Sequence, residues 1–483
     1  MTFNSQSYFL FLPVVYLIFY FAADRYRWLI LLFASYGFYA SFRAPQLLLV
    51  LTLVTGISHA FGKALGRTSG EGGRRRIFWT GTAACLSILV VMKALPPILK
   101  ADPSAPGWHP LLISIGVSYF TLQACSYLID VYLDIQKPEP HFGHYALSLA
   151  FFPKLLQGPI ERAGDLLPQL RMPYSFKYDS MRSGLLQFSW GLFKKAVVAD
   201  RLAQFVNPVF GDVHSYSGVV FLVIVCFYAF QIYCDFSGYT DMALGTARLF
   251  NIELTQNFRS PYLADSIADF WRRWHISFSR WILDYIFKPL QLAWRRYRQA
   301  GTALALMITF LASGIWHGST WGFVVWGLLH GLYLASSVFY RPLQKKMHRK
   351  LGIEKTGLSK AWKRFVTFGL VCLAWIFFRA DSIGDGGYVL SRIVRDFPRI
   401  FDLGYARLQF RGLGVDRGDL LLSLFLILLV IAASLLEEKK GSVHGWLLSR
   451  PAWVRWPVYY MITFAIIYFA PNNTIKSFIY MQF

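Results

Sequence analysis

Apolar residues occur along this chain in long segments that are separated by short polar or basic connectors. Several segments approach or exceed 18 residues, the length that a helix needs to cross about 30 Å of hydrocarbon. Backbone groups in a bilayer must be satisfied internally, so each crossing segment should be helical. The pattern predicts an all-α polytopic membrane protein with about 11 or 12 transmembrane helices. The apolar segments lie near residues 8–22, 27–42, 46–62, 77–95, 110–133, 184–204, 217–234, 301–315, 321–340, 364–380, 418–436 and 456–472.

Two shorter apolar pieces, near 147–160 and 239–251, contain proline, glycine or charge and are predicted to be re-entrant. Non-helical backbone at membrane depth needs surrounding protein or a water-filled cavity, so these pieces predict a central chamber. Residues 8–22 have neither a preceding positive region nor a clear cleavage site, and we expect a retained helix. No internal repeat or soluble domain is visible, so residues 1–483 are treated as a single membrane domain.

Composition and charge agree with a membrane protein. The chain is 55% hydrophobic and 16% charged, whereas soluble domains carry about 25% charged residues. Its net charge of +23 comes from basic residues concentrated in short loops, which is the positive-inside pattern and does not indicate nucleic acid. The loops 63–76 and 341–363 and the arginines near 295–298 are therefore predicted to be cytoplasmic. Five cysteines without a C-x-x-C spacing predict neither a disulfide framework nor a zinc site.

One segment departs from the positive-inside pattern. Counting spans from the cytoplasmic loop 63–76 places the N-terminus and residues 98–109 outside, and it also places the arginine-rich segment 381–417 outside. Arginines there alternate with phenylalanine and leucine, which predicts interfacial helices on the outer leaflet. Such helices would offer a docking face to an acidic partner or polymer. A solvated loop is the equally open alternative.

Two histidines, 42 positions apart, are the main candidates for chemistry. His317 lies in the sequence Gly-Ile-Trp-His-Gly within an apolar segment, where an ionisable group is costly and therefore a functional candidate. A core histidine bonded to a carbonyl is the alternative for this residue. His275 follows Trp-Arg-Arg-Trp. Because tryptophan and arginine are common at membrane interfaces, His275 could also simply anchor an interfacial helix.

These blocks resemble the signatures of the membrane-bound O-acyltransferase (MBOAT) family, in the branch of bacterial polysaccharide acetyltransferases typified by the alginate O-acetylation protein. The two histidine blocks are Phe-Trp-Arg-Arg-Trp-His-Ile-Ser at 270–277 and Gly-Ile-Trp-His-Gly at 314–318. A third block is Tyr-Cys-Asp-Phe-Ser-Gly-Tyr-Thr-Asp-Met-Ala at 233–243. Further matches are Asn257-Phe258, Pro261-Tyr262 and the closing residues 478–483, so the likeness covers nearly the whole chain.

The resemblance implies an acyltransferase that moves an acyl group from a thioester to a hydroxyl. It assigns the general base to His317, a role that suits a side chain with an unperturbed pKa of about 6.5. It makes His275 the second, auxiliary catalytic histidine. Trp316 and Trp321 would exclude water from the site. Metal ligands of suitable spacing are absent from the sequence. The residues assigned to substrate binding are Asp235, Tyr239, Asp241, Arg272, Arg273, Trp274 and Trp316.

The residues themselves leave some of these roles open. Asp235 or Asp241 could line the chamber, or could instead pair with Arg248 or another residue of the bundle. Arg272 and Arg273 follow an aspartate at i+3 and i+4, which permits a local ion pair on a helix. An arginine outside such a pair could bind a phosphopantetheine or CoA phosphate.

Two further sequence features bear on the site. His330 would point about 220° from His317 on one continuous helix, and is therefore interpreted as structural. Leu283 stands where the branch usually carries arginine, and the Gly-Gly-Asn-Arg turn of that branch is absent. This departure concerns the predicted donor-facing side.

The sequence therefore predicts a multi-pass O-acetyltransferase of the bacterial inner membrane. An acyl group, with acetyl favoured, would pass from a cytoplasmic thioester (acetyl-CoA or acyl-carrier phosphopantetheine) toward an extracytoplasmic hydroxyl. The acceptor would be a polysaccharide or a periplasmic SGNH-type acyltransferase partner, and no cofactor would be bound. Two alternatives remain: transfer of D-alanine from a carrier protein to teichoic acid, and a transporter or scaffold with structural histidines.

Overall fold

A computed structural model describes residues 1–98, 115–350, 352, 356–411, 416–470 and 478–479. All regular structure within these residues is helical, which confirms the predicted all-α class. The chain divides into two compact units, each described by itself below. The first comprises Met1–Leu192, Gly238–Gln256 and Asn473–Phe483, and the second Phe193–Ser237 and Asn257–Asn472.

The first unit is built largely from helices α1 to α8. Ser5 caps the first of them, because its side chain accepts a hydrogen bond from the Tyr8 backbone amide. Pro45 opens the third, where its missing amide hydrogen costs nothing. The helices are α1 Gln6–Phe21, α2 Asp24–Ala40, α3 Pro45–Arg67, α4 Glu71–Ile98, α5 Val117–Tyr132, α6 Phe142–Ala150, α7 Ala163–Arg171 and α8 Tyr178–Phe193.

A buried segment without helix follows α6 in the first unit. Residues 151–161 are all buried, and they include Lys154, whose ammonium donates to the side-chain oxygen of Gln123. The predicted irregular backbone at 147–160 is therefore found from residue 151 onward. Buried irregular backbone needs polar partners, and Ser35 supplies one, because its hydroxyl oxygen accepts from the Phe152 amide at 3.0 Å.

The second unit begins with a π-helical turn, Lys194–Ala199, and contains most of the remaining helices. A second π-helical turn, Leu283–Phe287, follows α12. Short 3-10 turns lie at Val213–Ser215, Pro261–Leu263, Arg295–Tyr297 and Phe397–Phe401. The α-helices are α9 Asp200–Gly211, α10 Gly218–Leu249, α11 Ile267–Trp271, α12 Ile276–Ile282, α13 Lys288–Ala293, α14 Arg298–His317, α15 Trp321–Lys350, α16 Gly357–Arg379, α17 Ile383–Asp396, α18 Leu403–Arg411, α19 Arg417–Lys440, α20 Val443–Leu448 and α21 Ala452–Phe469.

Helix α10 corrects one expectation. Residues 239–251 were predicted to be re-entrant, but the helix continues unbroken from Gly218 through Gly238 to Leu249. Glycine serves close packing here. A Cβ atom at Gly191 would lie 2.5 Å from the carbonyl oxygen of Gly238, so α8 and the last turns of α10 are in direct backbone contact.

Seven helices in the described part of the chain are long and apolar enough to cross a membrane, fewer than the 11 or 12 spans expected. The difference arises because several apolar segments form shorter helices. Residues 8–22 give a helix of 16 residues, and the described part of 110–133 contains another of 16, Val117–Tyr132. The segment 184–204 is interrupted by the first π-helical turn. The seven are Pro45–Arg67, Glu71–Lys93, Gly218–Leu249, Arg295–His317, Trp321–Met347, Gly357–Arg379 and Arg417–Lys440.

Helices α14 and α15 form a tightly packed hairpin whose connection is Gly318–Thr320. A Cβ atom at Gly314 would lie 2.4 Å from the Phe323 carbonyl oxygen, and one at Gly327 would lie 2.4 Å from the Phe310 carbonyl oxygen. Small residues at a helix interface let two backbones approach closely in a membrane. His317 is the last residue of α14 and lies at the closed end of the hairpin. The open end carries the basic residues at the start of α14 and at the end of α15.

The segment 381–417 is helical where it is described, in α17 and α18. Asp396 at the end of α17 is buried and accepts a hydrogen bond from the Gly218 amide, the first residue of α10, at 2.8 Å. A carboxylate at a helix N-terminus is favourable. The segment is thus attached to the second unit, and its membrane location stays a prediction. Residues 99–109 of the expected outer loop and 480–483 of the closing block lie outside the described residues.

Candidate active site

The first histidine is held by backbone hydrogen bonds between two segments of chain. His275 immediately precedes α12 and has φ +42° and ψ +56°, a left-handed conformation that costs about 1–2 kcal/mol for a residue with a side chain. The amide of Ile276 donates to the Asn257 carbonyl at 2.9 Å, and the amide of Ser277 donates to Asn257 Oδ1 at 3.1 Å. Asn257 therefore fixes the backbone on the C-terminal side of His275.

His275 is almost completely enclosed. Its exposed fraction is 1%, and its ring lies 4.8 Å from the Phe236 ring and 5.1 Å from the Phe278 ring, measured between centroids. Burial lowers the pKa of the His275 imidazole to about 3, because the charged form loses its hydration. The ring is therefore neutral at physiological pH and can offer one donor and one acceptor nitrogen.

The second histidine ends a long apolar helix and is surrounded by aromatic rings. His317 is 3% exposed. Its ring centroid lies 4.9 Å from that of Trp326, 5.5 Å from that of Phe378 and 5.7 Å from that of Phe278. Such an enclosure excludes water and strengthens any electrostatic interaction formed inside it.

The two histidines share aromatic neighbours in the second unit. Phe278 contacts both rings, at 5.1 Å from His275 and 5.7 Å from His317. Trp316 lies 6.5 Å from His275 and 4.9 Å from His317. Trp316 and Phe278 themselves stack at 4.4 Å. The fold thus brings together two residues that are 42 positions apart in the sequence.

The residues around the first histidine occupy contrasting positions. Trp274 is buried and contacts Trp375 with a centroid distance of 5.2 Å. Arg273 pairs with Asp269 at 2.9 Å, the local i,i+4 pair that the sequence permitted. Arg272 is exposed, and its Nε donates to the Ala268 carbonyl at 3.2 Å. Arg272 is therefore the better placed of the two arginines to meet an external phosphate.

Asp235 is buried in the second unit and pairs with a lysine that the sequence analysis did not single out. Lys195 Nζ lies 2.7 Å from Asp235 Oδ1 and 2.9 Å from Asp200 Oδ1. Arg248 instead pairs with Glu253 at 3.1 Å. The paired dibasic Lys194-Lys195 in an otherwise apolar stretch was the available sequence signal.

The other two residues of the third block lie in the first unit. Tyr239 is fully buried, donates to the Pro153 carbonyl at 3.5 Å and stacks on Phe3 at 4.8 Å. Asp241 is half-buried and accepts from Gln187 Nε2 at 3.2 Å. Their assignment to substrate binding stays a prediction.

One aromatic assignment changes near His317, and another is kept. Trp321 was expected to wall the site, but it is 71% exposed, and Trp326 provides the ring against His317 instead. His330 is buried, and its Nδ1 accepts a hydrogen bond from the Trp271 indole at 3.2 Å. The chain turns at Gly318–Thr320, so His317 and His330 belong to two packed helices and not to one continuous helix. His330 has the structural contact that the sequence interpretation gave it.

The described residues contain no group of three histidine, cysteine, aspartate or glutamate side chains that could hold a metal ion. Two buried histidines among aromatic rings provide side chains of the kind that proton transfer and substrate orientation use.

The helical fold, its apolar spans and the buried histidine pair define a polytopic membrane protein with an enclosed site. The family model described as membrane-bound O-acyltransferase family matches residues 31–377. The chain belongs to this family and is an acyltransferase.

Individual relatives show which branches are similar. The peptidoglycan O-acetyltransferase of Helicobacter pylori is 37% identical over 310 residues, which cover 59% of this chain and 57% of that protein. The probable alginate O-acetylase of Pseudomonas aeruginosa is 34% identical over 395 residues, covering 79% of this chain and 73% of that protein. The teichoic acid D-alanyltransferase of Streptococcus thermophilus is 28% identical over 311 residues, covering 60% of this chain and 74% of that protein.

Proposed function

We propose that this acyltransferase moves an acetyl group from a cytoplasmic thioester to an extracytoplasmic hydroxyl. The observation that carries the proposal is the pair of buried histidines that share Trp316 and Phe278. The donor is acetyl-CoA or an acyl-carrier phosphopantetheine, and it is a substrate, with no bound cofactor or metal. The acceptor is a polysaccharide or a periplasmic SGNH-type acyltransferase that carries the group onward.

His317 is the general base in this mechanism. It takes the proton of the acceptor hydroxyl while the hydroxyl oxygen attacks the thioester carbonyl carbon, and the proton then passes to the departing thiolate. His275 stays neutral and orients the reacting groups through its nitrogens. The rings around both histidines keep water out and so limit hydrolysis of the donor.

Arg272 is assigned to the donor. Its exposed guanidinium can bind a phosphate of CoA or phosphopantetheine. Arg273, which is paired with Asp269, would position this segment. Trp274 and Trp316 would line the reacting end of the site, and Tyr239 and Asp241 are retained as substrate-binding candidates.

The acceptor is proposed from the relatives. Two of them are named for O-acetylation of peptidoglycan and of alginate, which supports a polysaccharide acceptor class and acetyl as the transferred group. D-alanyl transfer from a carrier protein to teichoic acid is the second candidate, supported by the match to the D-alanyltransferase.

The test offers three labelled donors to the purified protein in proteoliposomes: acetyl-CoA, an acetylated carrier protein and a D-alanylated carrier protein. We expect label from an acetyl donor to reach polysaccharide or a co-reconstituted partner, and the His317→Ala variant to block it. Transfer of D-alanine alone would favour the second candidate. Absence of transfer from every donor, in protein that binds thioester, would contradict the proposal.

The proposed direction of transfer requires a specific orientation in the bacterial inner membrane. Cysteines introduced at Ser69, between α3 and α4, and at Lys345, in the basic last turns of α15, should escape membrane-impermeant thiol labelling of intact cells. The native cysteines give little background, because four are buried and Cys226 is only partly exposed. A cysteine at Ser104, in the loop predicted outside, is the matched control. Labelling at Ser69 or Lys345 would reverse the orientation.

A further inference from the structure

Two consecutive lysines are buried at the start of the second unit. Lys194 and Lys195 are 5% and 1% exposed. The Lys194 ammonium donates to Ser237 Oγ at 2.8 Å, and the Lys195 ammonium lies 2.7 Å from Asp235 Oδ1. Asp200 provides Lys195 with a second carboxylate at 2.9 Å. The two lysines therefore reach two positions on α10 that are separated by a single residue.

The local helical geometry explains how neighbouring residues reach the same helix. Side chains at i and i+1 of an α-helix point in different directions. Lys194–Ala199 forms a π-helical turn between α8 and α9, and this wider turn directs both lysines to α10. Single π-helical turns within α-helices occur frequently at functional sites.

The residue between the two lysine contacts is Phe236. It is fully buried, and its ring meets that of His275 at 4.8 Å with an interplanar angle of 86°. Phe258, which is adjacent to the Asn257 that holds the His275 backbone, has its ring centroid 5.0 Å from that of Phe236. The lysine contacts thus bracket the aromatic residue that packs on a histidine of the site.

Stability alone is a weak reason to bury these charges. Removing an ammonium and a carboxylate from water is costly, and well-packed apolar replacements of a buried ion pair are often neutral or stabilising. Burial opposes the charged form of Lys195, but Asp235 and Asp200 outweigh it and raise the pKa of its ammonium. Lys195 therefore stays charged and keeps its directional contact with Asp235, which an apolar pair of side chains would lack.

We propose that Lys194 and Lys195 are positioning residues of the acyltransferase site. By holding Ser237 and Asp235 they fix the rotation of α10 and keep the Phe236 ring against His275. This inference rests on the proposed function, because the placement of His275 affects turnover only if the histidine pair is used. It changes the role of Asp235 from substrate binding to positioning.

The main test removes both charges of one pair in the double variant Lys195→Met/Asp235→Leu. A change of Lys195 or Asp235 alone would leave the other charge of the pair buried and uncompensated. In the double variant Asp200 loses its contact with Lys195, but the Asp200 side chain is partly exposed to solvent. The matched control is Arg201→Met/Asp419→Leu, which removes another ion pair of the same unit, between α9 and α19. A third variant, Phe236→Leu, keeps both lysine contacts and removes only the ring.

Two quantities are measured on folded protein. The first is the split between kcat and KM for the donor. The second is the rate at which diethyl pyrocarbonate modifies His275, measured on its peptide by mass spectrometry. We expect kcat of the double variant to fall roughly tenfold to a hundredfold, KM to change little, and His275 modification to accelerate severalfold. Phe236→Leu should reproduce both effects. Adding it to the double variant should cause no further loss of kcat, and the control should show neither effect.

Parent-like kcat and His275 reactivity in the double variant or in Phe236→Leu would overturn the positioning role. So would equal losses of kcat in the double variant and the control with unchanged His275 reactivity, since these indicate general destabilisation. Phe236→Leu decides the question if the double variant does not fold. Failure of the proposed function would give a different result. In that case His317→Ala would retain turnover, whereas the rate of His275 modification would still show whether the lysine contacts position the His275 ring.

Discussion

The two histidines occupy regions that achieve burial in different ways. The region of His275 is a loop before a short helix, and backbone hydrogen bonds to Asn257 hold it in a left-handed conformation. The region of His317 is the tip of a helical hairpin, where close glycine packing brings two backbones together. The first depends on individual polar contacts and the second on side-chain volume, so different substitutions should disturb each histidine.

Removal of the His317 imidazole should cause the largest effect. A positioned general base contributes about 10²- to 10⁴-fold, so His317→Ala should lose at least about two decades in kcat while donor binding stays near normal. The measurement is steady-state transfer from labelled thioester. His330→Asn is the matched control in the same hairpin, and should lose stability but keep turnover per folded molecule. A folded His317→Ala protein with most of its turnover would make His317 a core histidine.

Loss of the Asn257 amide should selectively disturb the His275 region. Asn257→Ala leaves the Ser277 amide without its acceptor, which costs about 1–3 kcal/mol, and the displaced His275 should lower kcat by roughly tenfold. The readouts are turnover and the thermal unfolding midpoint. Ser279→Ala in α12 is the control, because it removes a hydroxyl that donates to the Trp274 carbonyl at 3.0 Å and leaves both Asn257 contacts in place. Equal effects of the two changes would show that Asn257 has no special role.

Added volume should selectively disturb the His317 region. Gly327→Ala places a Cβ atom 2.4 Å from the Phe310 carbonyl oxygen, and overpacking of this kind costs about 1–3 kcal/mol. Gly369→Ala in α16 is the control, because nothing lies within 4 Å of its added Cβ atom. We expect a lower thermal midpoint and reduced turnover for Gly327→Ala only. Unchanged stability would mean that the hairpin separates without cost.

Acid pH should give the smallest effect, through His275. Its folded-state pKa of about 3 lies below the unfolded value, so the unfolded state binds the extra proton and stability is lost as pH falls below about 6.5. Between about pH 6.5 and the folded-state pKa, the loss is about 1.4 kcal/mol for each pH unit. The thermal midpoint of His275→Asn should therefore fall less between pH 7.5 and 5.5 than that of the parent. His214→Asn, an exposed histidine, should behave as the parent does.

The two regions also differ in how far the sequence revealed them. The buried location of His317 followed from its apolar segment and glycine neighbours, because helix packing in membranes leaves a compositional signal. The contact between Asn257 and the His275 loop left no such signal, since the partners are about twenty positions apart and joined by backbone geometry. The same limit explains why Trp321 was expected beside His317 where Trp326 is found, because the turn at Gly318–Thr320 decides which tryptophan packs on the histidine. It also explains why the sequence did not reveal the contacts of Lys194 and Lys195, because the π-helical turn decides where their side chains point.

The sequence by itself determined the helical membrane class, the family and the two histidine candidates, because composition, apolar length and local motifs carry that information. The tertiary structure decided which apolar segments form long helices, that α10 continues through Gly238, and that Asp235 pairs with Lys195. It also decided that both histidines share Phe278 and Trp316. The physical reason is that these features depend on packing between residues distant in the sequence, where side-chain volume and buried charge, and not local periodicity, select the arrangement.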